Sequence, residues 1–430
     1  MIDSKETIIN YFNSGIKKTE DFRIGIEHEK FLFDLKTNQR IDYKKILEMF
    51  SALMEFGWKP IKEKGNIIGL SKDGRNITLE PGNQVELSGA KLINIHEACA
   101  ESQDYLFELN QVAKKLNIKI VSAGFDPISS LKQIPNNPKQ RYQLMTRDMP
   151  EGGQLSLDMM YRTCGTQLNI DYDSEKDFIK KFKVVNSLVP ISIALFANSS
   201  IVEKKNSGFL SYRSKVWQNT SRGGLPAVFF DEMNFEKYAH FIIKSSMLFI
   251  ENENTYISGK KYTFEDFING KINEINNRLP TEKDLTTHLS TIFTENRLKK
   301  YIELRSMDAC GWDCLCSGPA YNIGILYGNL DETYELISKW DKNKIINAYL
   351  EAPKNGFNTQ LMGKDLLHWT KLLLEISRKG LENRDILNKN NKNESLFLNH
   401  LNQIVENKMT NAHHMINKFS KENLETMYDK

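Results

Sequence analysis

The sequence predicts an α+β fold. Three observations predict it: strand-like segments occur in groups, long helical segments are segregated from them, and regular β–α alternation is lacking. Neither an internal repeat nor a clear linker divides the 430 residues, so we expect a single domain spanning 1–430. Its strands should lie within about 20–327, and about 328–430 should be mainly helical.

Hydrophobic periodicity predicts the elements of the first part of the chain in order. Residues 1–20 carry apolar side chains near helical spacing, and 23–34 alternates as a strand does. Two Gly-containing turn signals divide 66–88 into short strands. The other elements predicted here are a helix at 43–56 that Gly57 closes, a helix at 92–116 and a strand at 118–125.

The later part of the chain contains two long connections. Residues 126–155 hold four prolines and few apolar runs, and 204–226 is a second loop that contains glycines. Loops of this length inside a domain usually have a function. The elements around them are a strand at 163–171, a helix at 177–197 despite Pro190, a strand at 297–306 and mainly helical sequence from Pro319 onward.

Composition and charge exclude several classes of protein. The 58 basic and 55 acidic residues nearly balance, so the chain lacks the electrostatic footprint of a dedicated nucleic-acid-binding protein. Its first residues lack the regions of a signal peptide, and no segment approaches the ~20 apolar residues of a membrane helix. Five cysteines do not make a disulfide scaffold in a chain of this length. We therefore expect a soluble, cytoplasmic protein that binds neither nucleic acid nor membrane.

Four separated segments place polar side chains on one face of a strand and apolar side chains on the other. Alternate strand residues point the same way, so Glu27 and Glu29 share a face opposite His28, which we interpret as structural. The other shared faces carry Gln84 with Glu86, Gln167 with Asn169, and Glu303 with Arg305, and Glu80 lies just before a Pro-Gly break. In one sheet, these strands would gather about five carboxylates on one face.

A divalent cation would explain such a cluster of carboxylates. Carboxylates repel one another, and burying them without partners costs several kcal/mol each. Mg2+ takes oxygen ligands and completes its shell with water and substrate phosphates. An ordinary solvated sheet surface is the alternative and the commoner explanation of any single segment. Four segments together favour a functional face, but the residues alone leave open whether they share a sheet.

The same residues lie in long strings that resemble the plant and proteobacterial type of glutamate–cysteine ligase. The resemblance covers roughly 22–327 and is weaker over the remainder of the chain. The strings that carry it include GIEHEKF, ITLEPGNQVELSGA, LSLDMMYRTCGTQLNIDY, GFLSYRSKVW and HLSTIFTENRLKKYIELRSMD. It implies a glutamine-synthetase-like catalytic core of the carboxylate–amine ligase superfamily. Such a core has a curved, mostly antiparallel sheet with helices on its outer face, and the concave face holds ATP and Mg2+.

The resemblance also implies roles for individual residues. Arg305 resembles the catalytic group that contacts the transferred γ-phosphate, close to Glu303. Arg141 in RYQLM and Arg213 in YRSKVW resemble arginines that hold substrate carboxylates, which a guanidinium grips bidentately. From the residues alone, both would be interpreted as surface charge. The residues that resemble metal ligands are Glu27, Glu29, Glu80, Glu86 and Glu303, with Gln167 or Asn169 completing the set.

The implied reaction is an ATP-dependent ligation in two steps. ATP phosphorylates the γ-carboxylate of glutamate, and the amino group of cysteine then attacks the acyl phosphate. The product is γ-glutamylcysteine, made in the first step of glutathione biosynthesis. No P-loop string occurs, so the nucleotide must be held by the metal-binding face and the loops. The expected partners are glutamate, cysteine and ATP, bound by a monomer or a redox-sensitive homodimer.

The cysteines allow one further prediction. Cys310, Cys314 and Cys316 match zinc spacings poorly, and their default interpretation is buried thiols. The resemblance implies a redox-responsive disulfide whose two positions match Cys99 and Cys316. A second, hairpin disulfide of the plant enzymes has no counterpart, because 256–280 contains no cysteine.

Three alternatives remain open from the sequence. A γ-glutamyl ligase with another amine acceptor would need the same acidic face. A phosphotransferase of the guanidino-kinase type would share the general sheet but release a stable phosphorylated product. A non-catalytic ATP- or glutamate-binding protein of the same fold would be expected to lose some of the acid positions, and none is lost here.

Overall fold

Strands and helices follow one another irregularly in the computed structural model, which describes residues 1–220, 222–253 and 255–419 and, for Asp313, the backbone alone. The strands are β1 (Ile24–Asp34), β2 (Lys59–Glu63), β3 (Asn66–Lys72), β4 (Arg75–Leu79), β5 (Val85–Ser88), β6 (Ile118–Val121), β7 (Gly165–Ile170), β8 (Ile201–Val202), β9 (Lys205–Asn206), β10 (Gly223–Gly224), β11 (Phe249–Asn252), β12 (Thr255–Ser258), β13 (Phe293–Thr294), β14 (Asn296–Leu298), β15 (Ile302–Asp308), β16 (Gln360–Leu361) and β17 (Lys364–Asp365).

The α-helices of the described residues cover much of the remaining chain. They are α1 (Lys5–Asn13), α2 (Tyr43–Met54), α3 (Ile95–Leu116), α4 (Gln140–Asp148), α5 (Ser156–Arg162), α6 (Glu175–Ser187), α7 (Val189–Leu195), α8 (Tyr212–Gln218), α9 (Phe235–Lys244), α10 (Phe264–Ile268), α11 (Glu282–Ser290), α12 (Trp312–Leu315), α13 (Ser317–Ile323), α14 (Leu330–Ile337), α15 (Lys342–Asn355), α16 (Leu366–Arg384), α17 (Asn399–Asn407) and α18 (Asn411–Phe419). The predicted helical region extends to 430, and its last residues, 420–430, lie outside the described residues.

One antiparallel sheet organises the molecule. Its strands lie in the order β14–β15–β7–β1–β5–β4–β3–β2, and β6 pairs with the second half of β1. The four polar segments of the sequence therefore belong to one sheet, and three of them, β15, β7 and β1, are neighbours with β5 next in order. Their registers place Glu29 opposite Glu86 and Glu27 opposite Gln167. The α+β prediction is confirmed, since this sheet is antiparallel and accompanied by separate helices.

The apolar face of the sheet packs against two groups of helices. Ile26, Leu168 and Ile302 join a core that extends to α1, α6, α7 and the helices of the C-terminal part. On the other side of β1, Leu79 and Leu87 pack with residues of α2 and α3. Because strand residues alternate between faces, burying this apolar set fixes the polar set on the opposite face. The core that includes residues from α1 to α17 supports our proposal that the chain is a single domain.

The loop predictions were only partly correct. The connection predicted at 126–155 contains helix α4, and that predicted at 204–226 contains helix α8. Both helices are short, with nine and seven residues, so only about two turns of hydrophobic periodicity mark each of them. Pro190 lies in the first turn of α7, where its missing N–H leaves no helical hydrogen bond unmade. Of the described helices, none is long and apolar enough to cross a membrane.

Candidate functional site

A charged cavity of about 350 Å3 lies on the polar face of the central sheet. It gathers side chains that are distant in sequence but close in the sheet. Among the residues that line it are seven that the sequence singles out: Glu27, Glu29, Glu80, Glu86, Arg141, Gln167 and Arg305. The remaining predicted site residues Asn169, Arg213 and Glu303 lie around this cavity rather than in its lining.

One side of the cavity, which we call the acidic half, consists of Glu27, Glu29, Glu80 and Glu86. Glu29 and Glu86 face each other across β1 and β5. Neutral groups hold them in place: the backbone N–H of Gly165 donates to Glu29 Oε2 at 2.6 Å, and Thr78 Oγ1 donates to Glu86 Oε2 at 2.8 Å. No ion pair compensates these two carboxylates among the described residues, so their charges oppose one another.

Burial and this repulsion together raise the pKa values of Glu29 and Glu86. Burial, together with the neighbouring Glu80, raises the pKa of Glu29 from 4.5 to about 8. Burial and then the charges of Glu80, Glu27 and Glu29 raise the pKa of Glu86 well above its usual range. A carboxylate that resists ionisation in this way is stabilised by a cation placed between it and its neighbours.

The opposite side, which we call the basic half, consists of Arg297, Lys299 and Arg305 around the fully buried Glu303. Arg297 grips Glu303 bidentately at 2.6 and 2.8 Å, Arg305 donates at 2.8 Å, and Lys299 lies 3.1 Å away. Burial alone would raise the pKa of Glu303, but these three cations hold it well below the usual range. Both oxygens of Glu303 are therefore occupied by cations, and a metal-ligand role for this residue stays a prediction.

Amide side chains connect the two halves. Gln167 accepts a hydrogen bond from Arg305 at 2.8 Å through Oε1, and its Nε2 lies 3.5 Å from oxygens of Glu29 and Glu86. Asn169 donates to Glu27 at 2.6 Å, and its buried Oδ1 has no partner among the described residues. An amide can do this because it carries a donor and an acceptor, whereas a carboxylate or a guanidinium carries only one kind.

Arg213 and Trp217 lie on helix α8 beside the basic half. Arg213 donates to the backbone oxygen of Arg305 at 2.8 Å, while its Nε and a second terminal nitrogen are buried without hydrogen-bond partners among the described residues. The indole of Trp217 lies between two guanidiniums, with Arg213 and Arg305 each 5.1 Å from its ring centre. These three residues line a recess of about 70 Å3 together with Glu29 and Glu80. The free N–H groups of Arg213 suit a ligand carboxylate.

Arg141 approaches the cavity from helix α4. Its guanidinium lies 5.2 Å from the ring centre of Tyr142, and the Tyr142 hydroxyl donates to the backbone of Leu79 at 2.9 Å. Residues from α4, β11 and α11 line the same cavity, including Met145, Phe249 and Thr286. The arrangement brings the predicted loop arginine to the site on a helix rather than on an open loop.

A second cleft of about 630 Å3 adjoins the cavity. Glu27, Thr286 and Ser290 line both spaces. The cleft carries cationic and aromatic side chains that we did not single out from the sequence: Lys17, Arg23, Lys91, Lys299, Lys300, Tyr11 and Tyr301. The string ENRLKKYIELRSMD contained the signal for Arg297 and Lys299, because it places three cations beside a predicted site strand.

The metal prediction can be tested against the donor groups present. No three His, Cys, Asp or Glu side chains in the described part of the chain are gathered closely enough to form a complete metal site. Mg2+ does not require one, because it is commonly held by one or two carboxylates with water and phosphate as the other ligands. The partnerless Oδ1 of Asn169 and the mutually repelling acids fit such a partial site. The donor set is all oxygen, as Mg2+ prefers.

Two disulfides surround helix α12. Cys99 of α3 is bonded to Cys316, with 5.8 Å between their Cα atoms, and this is the pair that the resemblance implied. Cys310 is bonded to Cys314, which the sequence left as buried thiols. Cys164 is free and buried. The structure thus links the segment following β15 to the long helix α3, and it closes a tight loop within that segment.

An antiparallel sheet that presents carboxylates and guanidiniums to one charged cavity is typical of ligases that activate a carboxylate with a nucleotide. Within that class, the chain belongs to the glutamate–cysteine ligase family 2, whose family model matches residues 23–430. Sheet and cavity are built from residues inside this matched range.

Curated relatives agree with this assignment. The chloroplastic glutamate–cysteine ligase of Nicotiana tabacum is 39% identical over 419 residues, covering 96% of this chain and 79% of the relative. That of Arabidopsis thaliana is 38% identical over 425 residues, covering 97% and 80%. A solved structure of glutamate–cysteine ligase from Francisella tularensis in complex with AMP has a TM-score of 0.54 at 14% identity, covering 96% of this chain and 87% of that one. That likeness shows the fold.

The relatives also overturn one expectation. We predicted a cytoplasmic protein from the composition and the absence of a signal peptide, and the prediction is wrong, because these relatives are chloroplastic enzymes. The physical reason is that composition and apolar segments indicate whether a chain can enter a membrane. They do not distinguish one aqueous compartment from another.

Proposed function

We propose that the protein joins the γ-carboxylate of glutamate to the amino group of cysteine with cleavage of ATP, giving γ-glutamylcysteine. One observation carries the proposal: the acidic half and the basic half meet in one cavity, connected by Gln167. Phosphoryl transfer needs both kinds of charge, because anionic reactants must be held together while charge moves between oxygens. Family membership and the names of the relatives support the same activity.

The second cleft is the place we propose for the nucleotide. Its volume of about 630 Å3 lies within the range of small-molecule sites. Its lysines and Arg23 suit phosphates, and Tyr11 and Tyr301 offer aromatic surface. Because Glu27 and Thr286 line both spaces, the terminal phosphate can point toward the acidic half.

Mg2+ is part of the proposal, and one or two of the carboxylates Glu27, Glu29, Glu80 and Glu86 would hold it, with Asn169 nearby. When bound, it would neutralise charge on the triphosphate. The chain's own contribution there is the orientation of the acids: Gly165 and Thr78 fix one oxygen each of Glu29 and Glu86 and leave the others free of a close donor.

In the first step, the glutamate γ-carboxylate attacks the terminal phosphorus and ADP leaves. Arg305 would contact the transferred phosphoryl group, and its orientation is already set, since one terminal nitrogen donates to both Gln167 and Glu303 at 2.8 Å. A preorganised donor of this kind stabilises developing charge without reorganising during the reaction. Arg213 and Arg141 would hold glutamate by its carboxylates.

In the second step, the cysteine amino group attacks the acyl carbon and phosphate leaves. The acyl phosphate must be shielded from water during this step. Side chains of α4, β11 and α11 surround the cavity and supply that cover in the proposal. Ser258 donates to Asp148, which attaches the β11–β12 hairpin to the end of α4.

The test is a turnover assay with ATP, glutamate and cysteine, in which ADP and γ-glutamylcysteine are measured together by mass spectrometry. Other amine acceptors should replace cysteine poorly. Glu236→Gln serves as a control, because this acid is exposed and, among the described residues, forms an ion pair with Lys5 alone. ATP binding without turnover, a stable phosphorylated product, or equal rates with unrelated amines would contradict the proposal.

The disulfide between Cys99 and Cys316 is proposed to be redox-responsive, as the resemblance implies. Both sulfurs are bonded in the structure although Cys316 is only 6% exposed. Turnover should therefore differ between protein treated with a dithiol and untreated protein, and Cys99→Ser should remove the difference. Peptide mapping without reduction that finds both thiols free under oxidising conditions would contradict this part of the proposal.

A further inference from the structure

Asp308 is a buried carboxylate that the proposed reaction does not use. It ends strand β15, three residues after Arg305, and is 2% exposed. A bulge between Leu304 and Met307 shifts the register there, so that Asp308 lies opposite Gly165, and Asp308 does not line the cavity. Among the described residues, the groups that donate hydrogen bonds to Asp308 are a backbone N–H and two hydroxyls rather than cations.

These hydrogen bonds reach two separate segments. Oδ2 of Asp308 accepts from the backbone N–H of Asn198 at 2.8 Å and from the Ser199 hydroxyl at 2.6 Å. Oδ1 accepts from the Ser211 hydroxyl at 2.9 Å. A carboxylate can accept all three because it is acceptor-only and offers about four lone-pair sites. Asp308 therefore connects the end of strand β15 to the loop before β8 and to the beginning of α8.

Both serines act on the first turn of helix α8. Ser211 is the N-cap of α8, and its side chain accepts from the backbone N–H of Ser214. Ser199 accepts from the backbone N–H of Arg213 at 3.1 Å. Asp308 thus sets, through two hydroxyls, the position of the turn that carries Arg213. Both N–H groups lie in the first turn of α8, where backbone donors have no acceptor within the helix and a capping group must accept their hydrogen bonds.

The position of the Arg213 guanidinium depends strongly on the placement of helix α8. Among the described residues, the Arg213 side chain donates one hydrogen bond, to the Arg305 backbone oxygen, and its other buried N–H groups have no partner. The site also has little space to spare: a Cβ at Gly165 would lie 2.8 Å from the Arg213 guanidinium, and a Cβ at Gly124 would collide with the Asp308 carboxylate. A small shift of α8 would therefore move the guanidinium relative to its ligand.

We propose that Asp308 is a positioning residue, which acts through Ser199 and Ser211 to aim Arg213 at the glutamate carboxylate and so sets the affinity for glutamate. The inference rests on the proposed function, because it takes glutamate as the ligand of Arg213. It predicts a specific kinetic pattern: the KM for glutamate depends on Asp308, while the KM for ATP, which is bound in the neighbouring cleft, does not.

The first experiment compares KM values of Asp308→Asn, Ser199→Ala and the wild type. An asparagine keeps the shape but offers only one acceptor oxygen, so one donor must turn away. We expect the glutamate KM to rise roughly tenfold in Asp308→Asn and roughly fivefold in Ser199→Ala, with the ATP KM unchanged within about twofold. Glu108→Gln is the matched control: Glu108 is a buried carboxylate that accepts from Trp58 and Lys72, and its loss should leave the glutamate KM unchanged.

The second experiment asks whether Asp308 acts through Arg213. In an Arg213→Lys background, Asp308→Asn should change the glutamate KM by less than about twofold, because the group being aimed has been replaced. A merely structural role would produce the same loss in both backgrounds. Thermal unfolding of each variant accompanies the kinetics, and if Asp308→Asn does not fold, Ser199→Ala decides the question.

The outcomes separate this inference from the proposed function. A wild type that does not couple ATP cleavage to glutamate and cysteine contradicts both. An active wild type whose glutamate KM stays within twofold in Ser199→Ala and in folded Asp308→Asn contradicts the positioning role alone. Equal rises in the KM for glutamate and for ATP, or additive effects with Arg213→Lys, would also contradict it.

Discussion

The acidic half and the basic half of the cavity belong to one sheet and are separated by strand β7, but the groups around their carboxylates carry opposite charges. Glu29 and Glu86 face each other across a strand pair, and no cation pairs with them among the described residues. Glu303 lies opposite Arg297 and is surrounded by three cations. The comparison teaches that the cross-strand partner separates these two roles. Glu303, opposite a cation, stabilises the sheet, whereas Glu29, opposite another acid, is available to a ligand.

The largest expected effect is on stability in the basic half. Glu303→Gln leaves three buried cations without their carboxylate, which should lower the free energy of unfolding by about 3–5 kcal/mol. Urea unfolding measures the change. Glu236→Gln breaks an exposed pair with Lys5 and should change stability by at most about 1 kcal/mol. Equal stability of Glu303→Gln and wild type would show that the basic half is not held together by its ion pairs.

The same substitution in the acidic half should act on turnover instead. Glu29→Gln removes a repelling charge, so the metal-free protein should unfold at equal or higher urea concentration than wild type. The turnover rate should fall at least a hundredfold, about 2.7 kcal/mol of transition-state stabilisation, because a proposed metal ligand is lost. A variant that is both less stable and fully active would reverse the assignment of roles.

The two halves should also respond oppositely to pH. Glu29 has a folded pKa of about 8, above its ordinary value of 4.5, so its contribution to stability is complete below pH 4.5 and is lost as pH rises toward 8. Glu303, with a lowered pKa, contributes above its ordinary pKa and loses that contribution in acid. Between pH 5 and 8, metal-free wild type should therefore lose stability, by an amount on the order of 3 kcal/mol.

Mg2+ should reverse that loss, because it takes the place of the proton. Thermal unfolding from pH 5.5 to 8, with and without Mg2+, measures both effects, and Glu29→Gln should flatten the metal-free profile. If Mg2+ raises the melting temperature equally across this range, proton and metal do not compete in the acidic half.

The smallest effect is expected where the halves meet. Gln167→Met keeps the approximate size but removes the hydrogen bond to Arg305, which remains bonded to Glu303, so stability should fall by only about 1 kcal/mol. Turnover should fall more than stability suggests, because Arg305 loses one of its two orienting partners. Unfolding and initial rates measured on the same preparation decide this. Thr166→Val, a buried substitution one residue away on the opposite face, is the control.

Much of the fold and part of the site could be predicted from the sequence. Strands β1, β7 and β15 and the polar faces of Glu29, Gln167 and Arg305 follow from strict alternation, which is a local property. Helices α4 and α8 were missed, because both are short and tertiary packing stabilises them. The structure also places the ring of Trp217 5.1 Å from the guanidiniums of Arg213 and Arg305. Nothing in its local sequence indicates that contact.

The sequence by itself determined which side chains would share a face of each strand, because burying the apolar side chains places the polar side chains on the opposite face. Only the tertiary structure decided their partners across the strands. The register sets Glu86 against Glu29 and Arg297 against Glu303, and a bulge sets Asp308 against Gly165, where two serines donate to it. The physical reason is that the charge state of a buried acid depends on its neighbours within a few ångströms, and those neighbours come from distant parts of the chain.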